Sequence, residues 1–325
     1  MNHRSSTASP LSRLDTLEGY HHSFMDAVLW RPFVKRVCRG YGWNCDLIRP
    51  GEPGTFPTFV VDEKRVVKFF GPLFEGETCW RVEQEAAQLM TSVPAIPVAR
   101  LMASGVLEME PGWMYLVFEY VPGVRIGEVY ARVPFEEKLS LVRWLGERLP
   151  QMHRIEVRDG TTLPCLSEEL ARSWFSARWP EGRTGWPVHL ARQVETYLSE
   201  NGSFYQGGHD CFINADFSQD HILGKFQSGH WETLAVIDFG DALLGNIYYE
   251  LPALHLDLFD CDKRLLNAFL QAYGMPADKD FVRKAMVTSL LHQFDVYVPL
   301  FEWKRELKES ATLEELADRI WNVYE

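Results

Sequence analysis

Two aspartates in this chain each follow a short apolar run and open a polar loop. Asp216 comes before the polar stretch 218–221, and Asp238 follows the apolar run 234–237 and lies 22 positions after Asp216, with a hairpin expected between them. One carboxylate so placed can orient an attacking hydroxyl, and the other can hold magnesium against nucleotide phosphates. Each aspartate alone could simply make a turn, but together they predict phosphoryl transfer, with Asp216 as the catalytic residue.

A lysine interrupts a strand-like run that is otherwise apolar. Lys68 lies inside the segment 66–70, where a strand would bury its side chains. It is either a lysine whose ammonium reaches the surface, or the lysine that pairs with the phosphates of ATP and is itself held by a helix glutamate. Under the second interpretation, Glu85 is the expected holder and Glu83 is the alternative.

The segment 116–123 reads as a strand that ends in Pro-Gly and leads into a helical region. Backbone groups at Glu119 and Val121 are expected to hydrogen-bond the edge of an adenine, with Phe118 as the wall behind it. The alternative is a plain linker between two lobes.

The loop 50–57 lies between the first two predicted strands, where a loop that covers nucleotide phosphates belongs. It has neither a GxGxxG motif nor the Gly-Lys-Ser/Thr of a P-loop. Backbone amides near Gly54 and Thr55 are nevertheless expected to contact phosphate oxygens.

Hydrophobic periodicity predicts an α+β protein with two parts. Residues 1–122 are expected to form an N-terminal nucleotide-binding lobe with a leading helix at 22–42, a small antiparallel sheet that includes a strand at 58–61, and a helix at 78–90. Residues 123–325 are expected to form a mainly helical, catalytic and substrate-binding lobe that contains a strand–loop–strand unit at 211–238. The helices predicted in this second part cover 135–153, 167–179, 187–199, 251–273, 281–300 and 313–324.

The composition excludes several classes of protein. The 325 residues carry a net charge of −12, which argues against a nucleic-acid partner because phosphate recognition requires a basic surface. No apolar run approaches the length of a membrane span, and six cysteines without a CxxC pair favour reduced, mostly buried thiols. We therefore expect a cytoplasmic protein without a membrane partner. Residues 1–124 account for only −2 of the charge, so the acidic remainder either attracts a cationic small molecule or is an ordinary acidic surface.

Three segments together, 214–217, 235–242 and 245–250, resemble the aminoglycoside phosphotransferase and choline kinase superfamily, most closely its hygromycin B phosphotransferase group. The resemblance extends over about residues 45–273. It implies a two-lobed protein-kinase-like fold, ATP and Mg²⁺ as cofactors, and transfer of the γ-phosphoryl group to a hydroxyl of a small molecule. The implied acceptor is an aminoglycoside-type antibiotic such as hygromycin B.

The chain departs from this superfamily at two positions. Asn214 replaces a histidine that usually supports the catalytic loop, and His221 stands where an asparagine usually ligates magnesium. By the resemblance, His221 joins Asp238 as a metal ligand. An imidazole ligand suits Mn²⁺ better than Mg²⁺, which prefers oxygen ligands. The alternative is that His221 anchors the loop. Glu250 is expected to brace the catalytic loop.

A cationic acceptor would need carboxylates near the catalytic loop. Asp241, Asp257 and Asp260, with Asp262 beside them, are candidates to face a sugar amine, although a solvated surface position is an equal alternative for the last three. Two other functions remain open. The chain could phosphorylate another hydroxyl compound, namely a macrolide, choline, homoserine or a sugar, or it could bind nucleotide as a pseudokinase without turnover.

Overall fold

The computed structural model describes residues 9–108, 110, 112–182, 184–202 and 211–323. These residues divide into two compact units. The first comprises the described chain up to Gln88 together with Val98–Pro122, and the second comprises Leu89–Pro97 and the described chain from Gly123 onward. The segment Leu89–Pro97 therefore belongs with the second unit, although the predicted boundary would place it in the first. The functional roles assigned to the two parts stay predictions.

A five-stranded antiparallel sheet forms the centre of the first unit, in the order β1-β2-β3-β5-β4. The predicted strand at 58–61 is present with the same bounds, and the turn that follows it is made by Asp62 and Glu63 in left-handed conformation. The edge strand β4 was not expected from the sequence. The strands are β1 Ile48–Pro50, β2 Thr58–Val61, β3 Arg65–Phe70, β4 Leu101–Val106 and β5 Met114–Glu119.

The first unit has two helices before the sheet where one was predicted. Helix α1 covers Leu17–Ser23 and helix α2 covers Ala27–Gly40, and helix α3 at Gly76–Met90 follows β3. The break occurs because Asp26 caps α2, its carboxylate accepting a hydrogen bond of 2.8 Å from the N–H of Val28. The leading helices pack on the sheet through aromatic contacts such as Trp30 on Phe69, with ring centroids 4.5 Å apart.

The second unit is mainly helical, so the predicted α+β class is confirmed. Its helices are α4 Ile126–Val129, α5 Phe135–Met152, α6 Glu168–Gly182, α7 Val188–Ala191, α8 Val194–Asn201, α9 Lys263–Tyr273, α10 Lys279–Leu290, α11 Tyr297–Trp303 and α12 Leu313–Trp321. Its strands are β6 Val124–Arg125, β7 Cys211–Ile213, β8 Ile222–Gln227, β9 His230–Val236 and β10 Leu243–Gly245.

The helix predicted at 251–273 is divided in two. A π-helical segment occupies Ala253–Leu258, and α9 begins only after a turn at Asp260 and Cys261. Both turn residues have positive φ, which ends a right-handed helix. Asp262 then caps α9 by accepting a hydrogen bond from the N–H of Arg264.

Two small antiparallel ladders position the loops that carry Asp216 and Asp238. Strand β7 pairs with β10, and β8 lies between β6 and β9. Strand β7 ends at Ile213 just before the first loop, and β9 ends at Val236 just before the second. The N–H of Ile237 donates a hydrogen bond of 3.0 Å to the carbonyl of His221, which fixes one loop against the other.

All six cysteines are free thiols, but only Cys38 is buried, so the expectation that most would be buried is wrong. Five of them lie near enough to a surface to be partly accessible, and Cys165 is exposed. Among the helices that the structure describes, none combines the length and the apolar character needed to traverse a bilayer.

Candidate active site

The loop after β7 holds Asp216 through a strained backbone and a buried carboxylate. Ala215 has a φ of 64°, a left-handed conformation that is unfavourable for a residue with a Cβ. Glu250, which is fully buried, accepts hydrogen bonds from the N–H of Ala215 at 2.6 Å and of Asn214 at 3.1 Å. Two hydrogen bonds from adjacent backbone amides to one carboxyl group offset the backbone strain, so Glu250 braces this loop.

Asn214 connects the two loops. Its side-chain oxygen accepts a hydrogen bond of 2.9 Å from the N–H of Asp216, and its side-chain nitrogen donates one of 3.0 Å to the carbonyl of Asp238. Asp238 itself has a φ of 60°, and its carboxylate accepts a hydrogen bond from the N–H of Gly240. One amide side chain therefore fixes the backbone on both sides of the proposed site.

The carboxyl group of Asp216 lies in an environment that disfavours its charge. Its side chain is 22% exposed. Burial raises the pKa of Asp216 to about 8; the nearby His221 opposes this, and the negative charges of Asp241, Asp238 and Asp257 add to it. The structure thus brings Asp216, His221, Asp238, Asp241 and Asp257 into one electrostatic neighbourhood.

His221 has its Nδ1 atom 2.7 Å from the backbone carbonyl of Asp216 and 3.4 Å from Oδ2 of the same residue. A carbonyl only accepts, so Nδ1 carries the proton and donates. In the neutral ring, this hydrogen bond leaves the lone pair on Nε2, the usual arrangement of a histidine that ligates a metal. The Nδ1 contact also anchors the loop, so the two roles predicted as alternatives are compatible.

A divalent cation fits this neighbourhood. Magnesium is usually held by one or two carboxylates together with water and phosphate oxygens. No group of three or more His, Cys, Asp and Glu side chains in the described part of the chain is arranged to hold a metal ion by itself. However, burial raises the pKa of Asp216, nearby carboxylates raise it further, and a cation beside Asp238 would relieve that repulsion.

In the first unit, Lys68 pairs with Glu83, which was the alternative to the expected Glu85. Nζ of Lys68 lies 2.8 Å from Oε2 of Glu83, and both side chains are largely buried. Glu83 shares a face of α3 with Ala86 and Ala87, which are buried, because residues three and four apart lie on one side of a helix. Glu85 lies two residues further on, and its position on α3 is rotated to another face. The first choice of holder is therefore corrected to Glu83.

The residues predicted to surround an adenine lie at the end of β5. Phe118 packs on the cluster formed by Phe56, Phe70, Met114 and Leu116. The N–H of Glu119 donates a hydrogen bond of 2.9 Å to the carbonyl of Arg100. The N–H of Glu119 is therefore already bonded within the protein, and the roles of Phe118, Glu119 and Val121 stay predictions.

The loop between β1 and β2 exposes Gly54 and Thr55 but buries the next residue, Phe56. The ring of Phe56 packs on that of Phe70, with centroids 4.8 Å apart. Nζ of Lys68 lies 5.9 Å from the centroid of Phe56, so this loop and the lysine contact the same aromatic surface. Contacts of Gly54 and Thr55 with phosphate stay predictions.

The aspartates predicted to face a cationic acceptor each have a partner within the protein. Asp241 accepts a hydrogen bond of 3.2 Å from Nε2 of Gln293. Asp257 accepts one of 2.6 Å from the N–H of Gln219, and Asp260 lies 3.7 Å from Nζ of Lys304. Asp257 therefore anchors the loop that carries Asp216. Contact of any of the three with an acceptor stays a prediction.

Two glutamines were missed at this site. Gln219 binds Asp257 through its backbone N–H and, at 2.9 Å, through its side chain to the Asp257 carbonyl. Gln293 contacts Asp241 from a segment 52 positions further along the chain. Its N–H also donates to the hydroxyl of Tyr249 at 2.7 Å. The motif gave a signal for Gln219, which lies in the catalytic loop, but no sequence pattern marks Gln293.

A comparison with models of known protein families shows the family of this chain. The family model of APH, the phosphotransferase enzyme family, matches residues 54–285, which is more than half of the chain. The chain belongs to this family. The predicted superfamily and the prediction of a phosphotransferase enzyme are confirmed, whereas nothing in the match selects the hygromycin B group.

Solved structures of aminoglycoside phosphotransferases share the fold of this APH-family chain. The GDP complex of aminoglycoside 2'-phosphotransferase-IIIa is 18% identical, covers 90% of this chain and 99% of that one, and has a TM-score of 0.61. The streptomycin–ATP complex of APH(2")-IIa is 17% identical, with 90% and 95% covered and a TM-score of 0.59. APH(9)-Ia with ADP and spectinomycin is 11% identical, with 88% and 97% covered and a TM-score of 0.59. At these identities the likeness shows the fold alone.

One curated relative is similar over a shorter stretch. The lysine-specific demethylase JMJ21 of Arabidopsis thaliana is 24% identical over 127 residues, which is 33% of this APH-family chain and 13% of the relative. The chain thus spans about an eighth of the length of that relative.

Proposed function

We propose that this chain transfers the γ-phosphoryl group of ATP to a hydroxyl of a small-molecule acceptor, an aminoglycoside-type antibiotic such as hygromycin B. The observation that carries the proposal is the link made by Asn214 between the loops of Asp216 and Asp238. Phosphoryl transfer requires one carboxylate at the acceptor hydroxyl and another beside the nucleotide phosphates, held at a fixed separation. A single side chain bonded to both loops supports that arrangement.

In the proposed reaction, Asp216 accepts a hydrogen bond from the acceptor hydroxyl and orients its oxygen for attack. The raised pKa of Asp216 makes its carboxylate a stronger base than a solvated aspartate, which favours proton transfer as the oxygen–phosphorus bond forms. Lys68, held by Glu83, contributes positive charge to the phosphates. Phe118, Glu119 and Val121 receive the adenine, and Gly54 and Thr55 offer backbone amides to the phosphates.

Asp238 and Nε2 of His221 are the proposed metal ligands. A bound Mg²⁺ or Mn²⁺ neutralises charge on the nucleotide phosphates. The hydrogen bond from Nδ1 of His221 to the Asp216 carbonyl orients the ring. This donor set of one carboxylate and one imidazole favours manganese more than the usual pair of oxygen ligands would.

The proposal of a cationic acceptor is supported by the charge around Asp216. Asp241, Asp238 and Asp257 all raise its pKa, so their negative field extends to the place where an acceptor hydroxyl would lie. Structurally similar proteins were solved with streptomycin and with spectinomycin. Phosphorylation of a macrolide, choline, homoserine or a sugar is the alternative activity, and nucleotide binding without turnover is the alternative from another class.

The test is a phosphotransferase assay on a panel of acceptors, with Mg²⁺ and separately with Mn²⁺. The panel contains hygromycin B, other aminoglycosides, a macrolide, choline, homoserine and a simple sugar. We expect release of ADP and a mass increase of one phosphate on an aminoglycoside, and neither signal from Asp216→Asn.

Each outcome separates the candidates. Phosphate on the macrolide, choline, homoserine or the simple sugar alone would replace the proposed acceptor but keep the reaction. Thermal stabilisation by Mg-ATP with no product on any acceptor would favour the pseudokinase. Product formation by Asp216→Asn at the wild-type rate would contradict the role of Asp216.

A further inference from the structure

The N-terminal helix α1 contacts the loop that is proposed to cover the nucleotide phosphates. The hydroxyl of Tyr20 donates a hydrogen bond of 2.7 Å to the backbone carbonyl of Thr55. Tyr20 is 3% exposed, and its ring stacks on Phe24 and meets the edge of Phe74. The hydroxyl is therefore held in place by a packed ring, and its partner is the main chain of the loop.

The loop itself is fixed at its ends and open between them. The N–H of Gly51 donates to the carbonyl of Thr58 at 2.7 Å, and Pro57 accepts from the N–H of Phe69 at 2.9 Å. Residues 52–55 between these points are exposed, and a Cβ at Gly54 would meet no atom within 4 Å. The hydrogen bond from Tyr20 falls on the last of these exposed residues.

The same contact extends toward Lys68. Phe56, which follows Thr55, packs on Phe70, and Nζ of Lys68 lies over both rings at 5.9 and 5.5 Å. Burial raises the pKa of Tyr20 and the positive charge of Lys68 lowers it, which places the phenol and the ammonium in one electrostatic environment. The phenol stays protonated and can donate at neutral pH.

We propose that Tyr20 is a positioning residue that holds the 51–57 loop in the conformation that receives nucleotide phosphates. Ordering an exposed loop residue costs roughly 1–2 kcal/mol of backbone entropy, and a loop that is already ordered does not lose this free energy on binding. Helix α1 precedes the family-matched residues 54–285, so this chain sets part of its nucleotide affinity from outside that region. The inference rests on the proposed function, because it takes the loop to be the phosphate cover.

Tyr20→Phe removes the hydroxyl and keeps the ring. Loss of one hydrogen bond of about 1 kcal/mol should raise the Kd for ATP and for ADP about fivefold. The KM for ATP should rise by a similar factor while the KM for the acceptor does not change. If Tyr20 contributed only to stability, Tyr20→Phe would not raise the KM for ATP while leaving the KM for the acceptor unchanged.

Tyr41→Phe is the matched control. The hydroxyl of Tyr41 also donates to a backbone carbonyl, that of Ser104 at 3.2 Å, but on β4 and not on the loop. This variant should leave the Kd for nucleotide at the wild-type value. Hydrogen exchange without nucleotide gives a second readout, because the amides of Gly54, Thr55 and Phe56 should exchange faster in Tyr20→Phe and not in Tyr41→Phe.

The outcomes separate this inference from the proposed function. If the wild-type protein binds ATP, and Tyr20→Phe binds it equally well with unchanged exchange in the loop, the positioning role is wrong and the proposed function stands. If the wild-type protein binds no nucleotide in either metal, the proposed function fails and the inference fails with it. A fivefold change confined to Tyr20→Phe supports both.

Discussion

The side-chain amide of Asn214 donates a hydrogen bond of 3.0 Å to the backbone carbonyl of Asp238. Its oxygen at the same time accepts from the N–H of Asp216, two residues away. The superfamily usually has a histidine at this position. The amide of Asn214 provides the same combination of one donor and one acceptor as a neutral histidine. In this chain the amide of Asn214 makes the link between the two loops.

Asn214→Ala should lower kcat by about 10- to 100-fold, because a small misplacement of the two carboxylates is costly in positioning catalysis. The neutral histidine of Asn214→His can again donate and accept, so this variant should retain more activity than Asn214→Ala. Steady-state kinetics of both variants provide the measurement. Wild-type activity of Asn214→Ala would show that the hydrogen bonds of Asn214 do not matter.

Asp216→Asn should abolish turnover and stabilise the fold. Loss of a general base lowers kcat by about 100-fold or more. Burial raises the pKa of Asp216 to about 8, far above that of an unfolded aspartate. Between these two values the folded state holds a proton that the unfolded chain has released, so the wild-type free energy of unfolding falls as pH rises through this interval. Asparagine does not titrate, so the free energy of unfolding of Asp216→Asn does not fall in this way.

The stabilisation should accordingly be larger at pH 8 than at pH 5, on the order of 5 kcal/mol at the higher pH and about 1–2 kcal/mol at the lower. Denaturant unfolding at both pH values measures it. Asp159→Asn, at an exposed position, is the matched control and should show no such dependence. A stabilisation independent of pH would show that the carboxyl group of Asp216 is not destabilised by its surroundings.

Glu83→Gln and Glu85→Gln should differ sharply. Glu83→Gln leaves the buried ammonium of Lys68 without its carboxylate partner, which typically costs about 3 kcal/mol or more. Glu85→Gln keeps that ion pair and should cost less. Both variants can be compared by thermal unfolding and by the KM for ATP, which should rise only for Glu83→Gln. If Glu85→Gln had the larger effect on thermal unfolding and on the KM for ATP, Glu85 would be the residue that holds Lys68.

This pair of glutamates shows where inference from sequence ended. The pattern identified Lys68, the helix and a glutamate partner, because those follow from residue types and period. Choosing between Glu83 and Glu85 required the rotation of α3 about its axis, since two positions on a helix are about 200° apart and lie on opposite faces. That rotation is set by packing of the whole helix and not by its own sequence.

Elements with strong local signals were predicted well, and those made by distant contacts were not. The strand at 58–61 and the helix at 78–90 follow from apolar runs and helical period. Strand β4, with Ala, Ser and Gly in its centre, has little intrinsic strand preference and forms by pairing with β5. The contact of Gln293 with Asp241 is of the same kind, since it joins two loops far apart in the chain.

Exchange of His221 for the asparagine usual in the superfamily should shift the metal preference. Asn supplies an oxygen ligand in place of an imidazole nitrogen, and magnesium prefers oxygen. His221→Asn should therefore raise the activity with Mg²⁺ relative to that with Mn²⁺. The ratio of kcat/KM for ATP in the two metals gives the measurement. If the ratio does not change, His221 acts through its contact with the Asp216 carbonyl and not on the metal.

His153 should make the protein sensitive to acid. It is half-buried at the end of α5 with Nδ1 2.8 Å from the hydroxyl of Tyr273, and desolvation of the ring lowers its pKa to about 3. An unfolded histidine, with a pKa near 6.5, binds a proton below that pH, whereas the folded one does not until about pH 3. The unfolded state therefore binds more protons in this interval, and the free energy of unfolding should fall as pH falls from about 6.5 toward 3.

His153→Gln removes the titrating group and keeps a side chain that can hydrogen-bond Tyr273. Its free energy of unfolding should fall less steeply between pH 6.5 and pH 4 than that of the wild type, by up to a few kcal/mol over the interval. His22→Gln, at an exposed position on α1, controls for the loss of a histidine and should follow the wild-type curve. Urea unfolding at several pH values gives both slopes. Parallel curves for wild type and His153→Gln would show that His153 is protonated in the folded protein as readily as in the unfolded chain.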